Sequence, residues 1–116
     1  MRVMVCGSRD WNDWNAVKYR LAALPNDVVV MQGGARGADS IAWRECQRQD
    51  IECETYLPAA ATPSPYRYHE RNDKMLAQAD LVIAFWDGLS RGTKSVIQKA
   101  KDAGVPVEVV RPTATP

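Results

Sequence analysis

Three short segments carry residues whose types and spacing could do chemistry, and each follows an apolar run. One is Gly33 to Asp39, GGARGAD. Glycines there permit positive φ and let backbone N–H groups approach an anion, while a following helix would add its positive amino end. Asp39 stands where a side chain caps such a helix. Gly33, Gly34, Arg36 and Gly37 complete the turn, which reads equally as a tight strand-to-helix connection with no ligand. It departs from the dinucleotide fingerprint, reading G-G-x-x-G rather than G-x-G-x-x-G, although an acidic residue, Glu54, lies about 20 residues on. A second segment is Trp86 to Lys94, WDGLSRGTK. Gly88 and Gly92 flank its polar turn, Arg91 adds a cation, and Thr93 stands at a helix start where hydroxyl and N–H can both face a phosphate. Thr93 separates Gly92 from Lys94, so this is not a P-loop. The third is Cys6 to Trp11, CGSRDW. After Gly7, Ser8 offers a hydroxyl and Arg9 a guanidinium fork for phosphate. Trp11 is either a packing residue or an exposed ring that stacks on a base. His69-Glu70-Arg71-Asn72 opens a later helix and serves either as a solvated helix start or as part of a site.

These segments need elements to hold them. Arg2–Cys6 is a short β-branched run. A helix follows from Asn12, with Trp14, Val17, Leu21 and Leu24 on one face, ended by Pro25 and Asn26. Asp27–Gln32 is apolar at its centre, as in a strand covered on both faces. A helix is expected from Asp39 to about Gln49, a weak strand over Glu52–Leu57, and a proline-rich loop over Pro58–Tyr68. A helix over Glu70–Ala79, a strand over Asp80–Phe85, a helix with Val96, Ile97 and Ala100 inward and a strand over Val105–Val110 complete the pattern. Five strands alternating with four helices predict one α/β domain: a doubly wound, five-stranded parallel sheet with helices on both faces. In such sheets ligands bind beyond the carboxyl ends of the strands, and the three segments collect there. The domain is expected over 1–110, with a flexible C-terminal tail over 111–116.

Composition narrows the partners. The chain has 116 residues, 46% hydrophobic and 25% charged, with Lys+Arg 15 against Asp+Glu 14 and a net charge of +1. That balance gives no field for bulk nucleic-acid binding. No apolar run reaches the ~20 residues that span a bilayer. Three cysteines without a CxxC read as reduced thiols in a cytoplasmic protein, and a single histidine, His69, gives no metal-ligand spacing.

Taken together the motifs resemble the SLOG superfamily, which contains the LOG phosphoribohydrolases and the DNA-processing protein DprA. They are most similar to its short stand-alone YspA-like branch (the DUF2493 domain), known from bacteria and phages. The matching residues are Gly7-Ser8-Arg9-Asp10-Trp11, Gly33 to Asp39, Arg71-Asn72-Asp73-Lys74-Met75, and Gly88 to Thr93. The resemblance implies a Rossmann-like sheet in the order 3-2-1-4-5, a nucleotide-type small molecule over the strand ends, and a homo-oligomer. It implies no further cofactor. LOG enzymes cleave an N-glycosidic bond, but the Glu of their PGGxGTxxE motif falls here on Val96, and Trp86-Asp87-Gly88 replaces the PGG. The Arg of their other motif falls on Arg71, whose following Lys is here Asn72. Two functions follow: binding or sensing of a nucleotide-derived ligand, or a nucleotide N-glycosidase with Arg71 and a substitute acid, Asp87 or Glu70. DNA binding, by analogy with DprA, lacks the basic excess.

Overall fold

A computed structural model describes the chain from Met1 to Thr113. Its elements run β1 (Arg2–Gly7), α1 (Trp14–Ala22), β2 (Val29–Gln32), α2 (Ala38–Gln49), β3 (Glu52–Thr55), α3 (Tyr66–Leu76), β4 (Leu81–Phe85), α4 (Arg91–Asp102) and β5 (Val107–Val110). All strand pairs are parallel, as the alternation of strand and helix predicts, and their order, β3-β2-β1-β4-β5, is the one the resemblance implies.

Side chains alternate across the sheet, so β1 feeds two cores at once. Val3 and Val5 join Val17, Leu21, Ile41, Ile83 and Phe85 under α1 and α2. Met4 and Cys6 join Met75, Val82, Ala84, Val96 and Ile97 under α3 and α4. The buried carboxylate of Glu45 on α2 accepts the Trp14 indole N–H at 2.5 Å, tying α1 to α2.

The order reverses beside β1, because β2 and β3 lie on one side of it and β4 and β5 on the other. Loops leaving β1 and β4 therefore diverge and open a crevice at the carboxyl edge. Two links fix its base: Ser8 N–H donates to the Phe85 carbonyl at 3.0 Å, and Asp87 N–H donates to Ser8 Oγ at 3.2 Å.

α3 departs from expectation. It starts at Tyr66, inside the segment read as a proline-rich loop, and ends at Leu76 rather than Ala79. No helix breaker follows Pro65, and the helix buries Arg71 and Met75, four residues apart on one face. Of the expected tail, Thr113 donates through N–H and hydroxyl to Asp13 Oδ2, at 2.8 and 2.6 Å. Residues 114–116 lie outside the described residues. No helix among the described residues is long and apolar enough to cross a membrane.

Candidate functional site

The crevice holds a cavity of about 640 Å³, and an adjoining recess of about 210 Å³ shares Arg9, Ala35, Arg36, Tyr68 and Arg71 with it. The end of β1 and the loop after it contribute Gly7, Ser8 and Arg9; α3 contributes Arg71 and Asn72; the β4–α4 turn contributes Asp87, and the first turn of α4 Arg91, Gly92 and Thr93. Gly33 and Gly34 face the recess instead, beside Leu57 and Pro58. Gly37 lines neither, and its task is contact between backbones. With φ at +78°, a Cβ on it would stand 2.4 Å from the Ser8 carbonyl oxygen. Gly7 is equally confined, its Cβ position lying 2.5 Å from the Phe85 carbonyl oxygen. Gly88 sits in the turn next to Arg111, outside both linings.

The glycine turn before α2 does not present its N–H groups as the sequence suggests. Asp39 Oδ2 accepts from Gly33 N–H at 3.1 Å and Ala35 N–H at 3.3 Å. Gly34 N–H goes to Gln32 Oε1 at 2.6 Å, and Ala38 N–H to the Ser8 carbonyl. The residue at the cap is Gly37, while Asp39 sits inside the first turn. This turn therefore already holds an anion of its own. Asp39 is 7% exposed, and burial pushes its carboxyl up to about 6, against the bonds from Ala35 and Gly33 and the charges of Arg71 and Arg9.

α4 is arranged in the opposite way. Ser90 caps it, accepting from Thr93 N–H at 3.4 Å, so the Thr93 N–H expected to face a ligand is engaged. The Thr93 hydroxyl lies 3.1 Å from Ser90 Oγ. The N–H groups of Arg91 and Gly92 have no acceptor among the described residues. There is no acidic residue in the first turn, and Arg91 is there, the wrong sign for a helix amino end. A Cβ built on Gly92 meets nothing within 4 Å.

Arg71 is held rather than loose. Its Nη1 donates to the Gly33 carbonyl at 2.5 Å and its Nε to Asn72 Oδ1 at 2.7 Å. Nη2 has no partner among the described residues. Arg36 is exposed, 3.6 Å from Asp10. Guanidinium groups of Arg9, Arg67 and Arg71 lie 5.4, 5.3 and 5.8 Å from the Tyr68 ring centre.

Trp11, Glu70 and Asp87 stand differently from the other expected site residues. Trp11 is 5% exposed, packed against Phe85 with its indole N–H on the Asp13 carbonyl, the packing alternative of the two that its sequence leaves open. Tyr68 is the aromatic ring at the cavity; its signal was its place one helical turn before Arg71. Glu70 lies outside both linings, exposed and 3.8 Å from Lys74, because its position on α3 turns away from Arg71. Asp87 lines the cavity, but bonds from Leu89 and Ser90 N–H at 2.7 and 2.9 Å hold its carboxyl below the usual range. It is a fixed anion and a loop clasp. Val96, 3% exposed, lines the cavity and also belongs to the core under α3 and α4.

The sequence profile of the YspA, cpYpsA-related SLOG family matches residues 1–61. The Gene 61 protein of Mycobacterium phage D29 is 37% identical over 123 residues, covering 91% of this chain and 93% of its own. Among solved structures, DNA processing protein A (DprA) from Streptococcus pneumoniae superposes with a TM-score of 0.81 at 17% identity. That match covers 93% of this chain but only 49% of DprA, so the chain spans about half its length. A protein designated TM1055 gives 0.70 at 22% identity, over 91% of this chain and 71% of its own. DprA from Helicobacter pylori, described with a single-stranded DNA binding mode, gives 0.67 at 21% identity, over 94% and 64%. At these identities the structures share the fold.

Proposed function

The chain belongs to the YspA, cpYpsA-related SLOG family, and from that premise we propose that it binds a nucleotide or nucleotide-derived ligand at the carboxyl edge of its sheet. The observation that carries this reading is the amino end of α4. Two N–H groups without acceptors among the described residues, a first turn without a carboxylate and Arg91 in that turn leave the amino end of α4 open to an anion at the cavity. A phosphate there gains both N–H groups, with Arg9 and the open Nη2 of Arg71 within the same cavity wall. Tyr68 and the recess beside Leu57 and Pro58 supply flat and apolar surface for the rest of the ligand.

Binding is favoured over glycosidic cleavage on the carboxylates first considered for it. Glu70 is not at the cavity, and Asp87 is held ionised, so neither delivers a proton to a leaving base. DNA binding has less support, because a chain with net charge +1 carries no basic excess.

Calorimetric titration with adenosine 5′-monophosphate, beside adenosine, tests the proposal. Binding of the phosphate ester with loss on Gly92→Leu, at unchanged thermal stability, is the expected outcome. The new side chain enters open space and needs no positive φ. Equal affinity for adenosine, or an unaffected Gly92→Leu variant, removes the α4 terminus from the site. Release of free base during the incubation would instead establish the glycosidase.

A further inference from the structure

One charged group at the cavity has no task in the nucleotide reading. Asp39 commits Oδ2 to the two N–H groups of its turn, and no donor pairs with Oδ1 among the described residues. Arg9, from the end of β1, and Arg71, from α3, act on it through space without forming an ion pair. The thiol of Cys6 on β1 and that of Cys53 on β3 also sense its charge. Asp87 and His69 are further titratable groups of the cavity wall, with Asp10 paired to Arg36 at its rim.

An anion in this cavity changes the balance around that carboxyl. It neutralises Arg9 and Arg71, which help keep Asp39 ionised, and it brings negative charge of its own. Both changes favour the neutral acid. Resting on the phosphate site proposed above, we infer that Asp39 is the proton-carrying group of the pocket: an anionic ligand enters together with one proton from solvent, which settles on Asp39 Oδ1. Oδ2 keeps its two N–H bonds, and the Oδ1 hydroxyl becomes a donor. The ligand atom it meets is then an acceptor, such as a phosphate or carbonyl oxygen, rather than a sugar hydroxyl that must donate.

Carboxyl carbon resonances of the free protein, followed through pH, come first, and Asp39 is expected to titrate near 6. Calorimetry with adenosine 5′-monophosphate at about pH 8 follows, in two buffers of different ionisation heat, because the phosphate's own second pKa of about 6 leaves it ionised there. The wild type is expected to take up protons on binding, and its affinity to weaken as pH rises from 7 to 8. Asp39→Asn takes up none and binds at pH 8 at least as tightly. His69→Gln matches the wild type. Uptake that persists in Asp39→Asn or vanishes in His69→Gln overturns the inference, as does nucleotide binding by the wild type with no uptake, or a free carboxyl that titrates in the ordinary range. A wild type that binds no nucleotide overturns the earlier reading instead. The Asp39 titration is then repeated with sulfate: an upward shift supports the proton carrier, and an unmoved one sinks it.

Discussion

Asp39 illustrates how a single residue can hold a turn together and still cost stability. Folding raises its pKa from the ordinary 3.8 to about 6. At pH values below 3.8 both states are protonated and nothing is lost. Above about 6 the charged form is buried in the native state alone, a cost of roughly 3 kcal/mol for a shift of about two units. The wild type therefore loses stability as pH rises from about 4 to about 6. Asp39→Asn keeps an oxygen for Gly33 and Ala35 N–H and removes the charge. Its thermal midpoint should exceed that of the wild type at pH 7, with the gap closing by pH 4; a gap independent of pH contradicts this account. Glu70 supplies the contrast. Exposed and 3.8 Å from Lys74, it should tolerate Ala with stability within about 0.5 kcal/mol and unchanged nucleotide affinity, read by the same melts and titrations.

At the level of elements, the β4–α4 turn is held by side chains as well as by Gly88, whose φ is +87°. Asp87 gathers the Leu89 and Ser90 N–H groups, and Ser90 caps Thr93. Ser90→Ala should cost about 1 kcal/mol in denaturant unfolding and weaken nucleotide binding more than that loss alone explains, because it loosens the turn carrying Arg91 and Gly92. An intact affinity would mean that the turn keeps its shape without the cap. The strands were legible in the sequence, because runs such as VVVM and LVIAF are apolar enough to demand cover on both faces, and their order was what the family resemblance implied. The gathering of Arg9, Arg71 and Thr93 at one edge followed from that order. Local pattern failed where a long-range contact decides. Trp11 looks the same in the chain whether it meets Phe85 or a base. Nothing local says that the Gly33 and Ala35 N–H groups belong to Asp39. The start of α3 was hidden by the prolines before it, and Tyr68 went with it.

Over the whole molecule, β1 stands between two cores that share the sheet but no side-chain contact. Leu21 and Met75 are each fully buried, on opposite faces. Leu21→Ala and Met75→Ala should each cost about 2–5 kcal/mol, and the double variant should equal their sum within about 0.5 kcal/mol. Coupling well beyond that in denaturant unfolding would mean that the sheet transmits strain from face to face. The two sides of the molecule also meet at the carboxyl edge, where backbone touches backbone at Gly7 and Gly37 while Gly92 borders empty space. These glycines then answer to different selections. In a library of random variants screened only for folded protein, Gly7 and Gly37 should stay glycine while position 92 drifts freely. Screened for whatever task the pocket performs, position 92 should freeze as well. A comparison of the two screens would read the pocket's purpose from the pattern of tolerated change before its ligand is in hand.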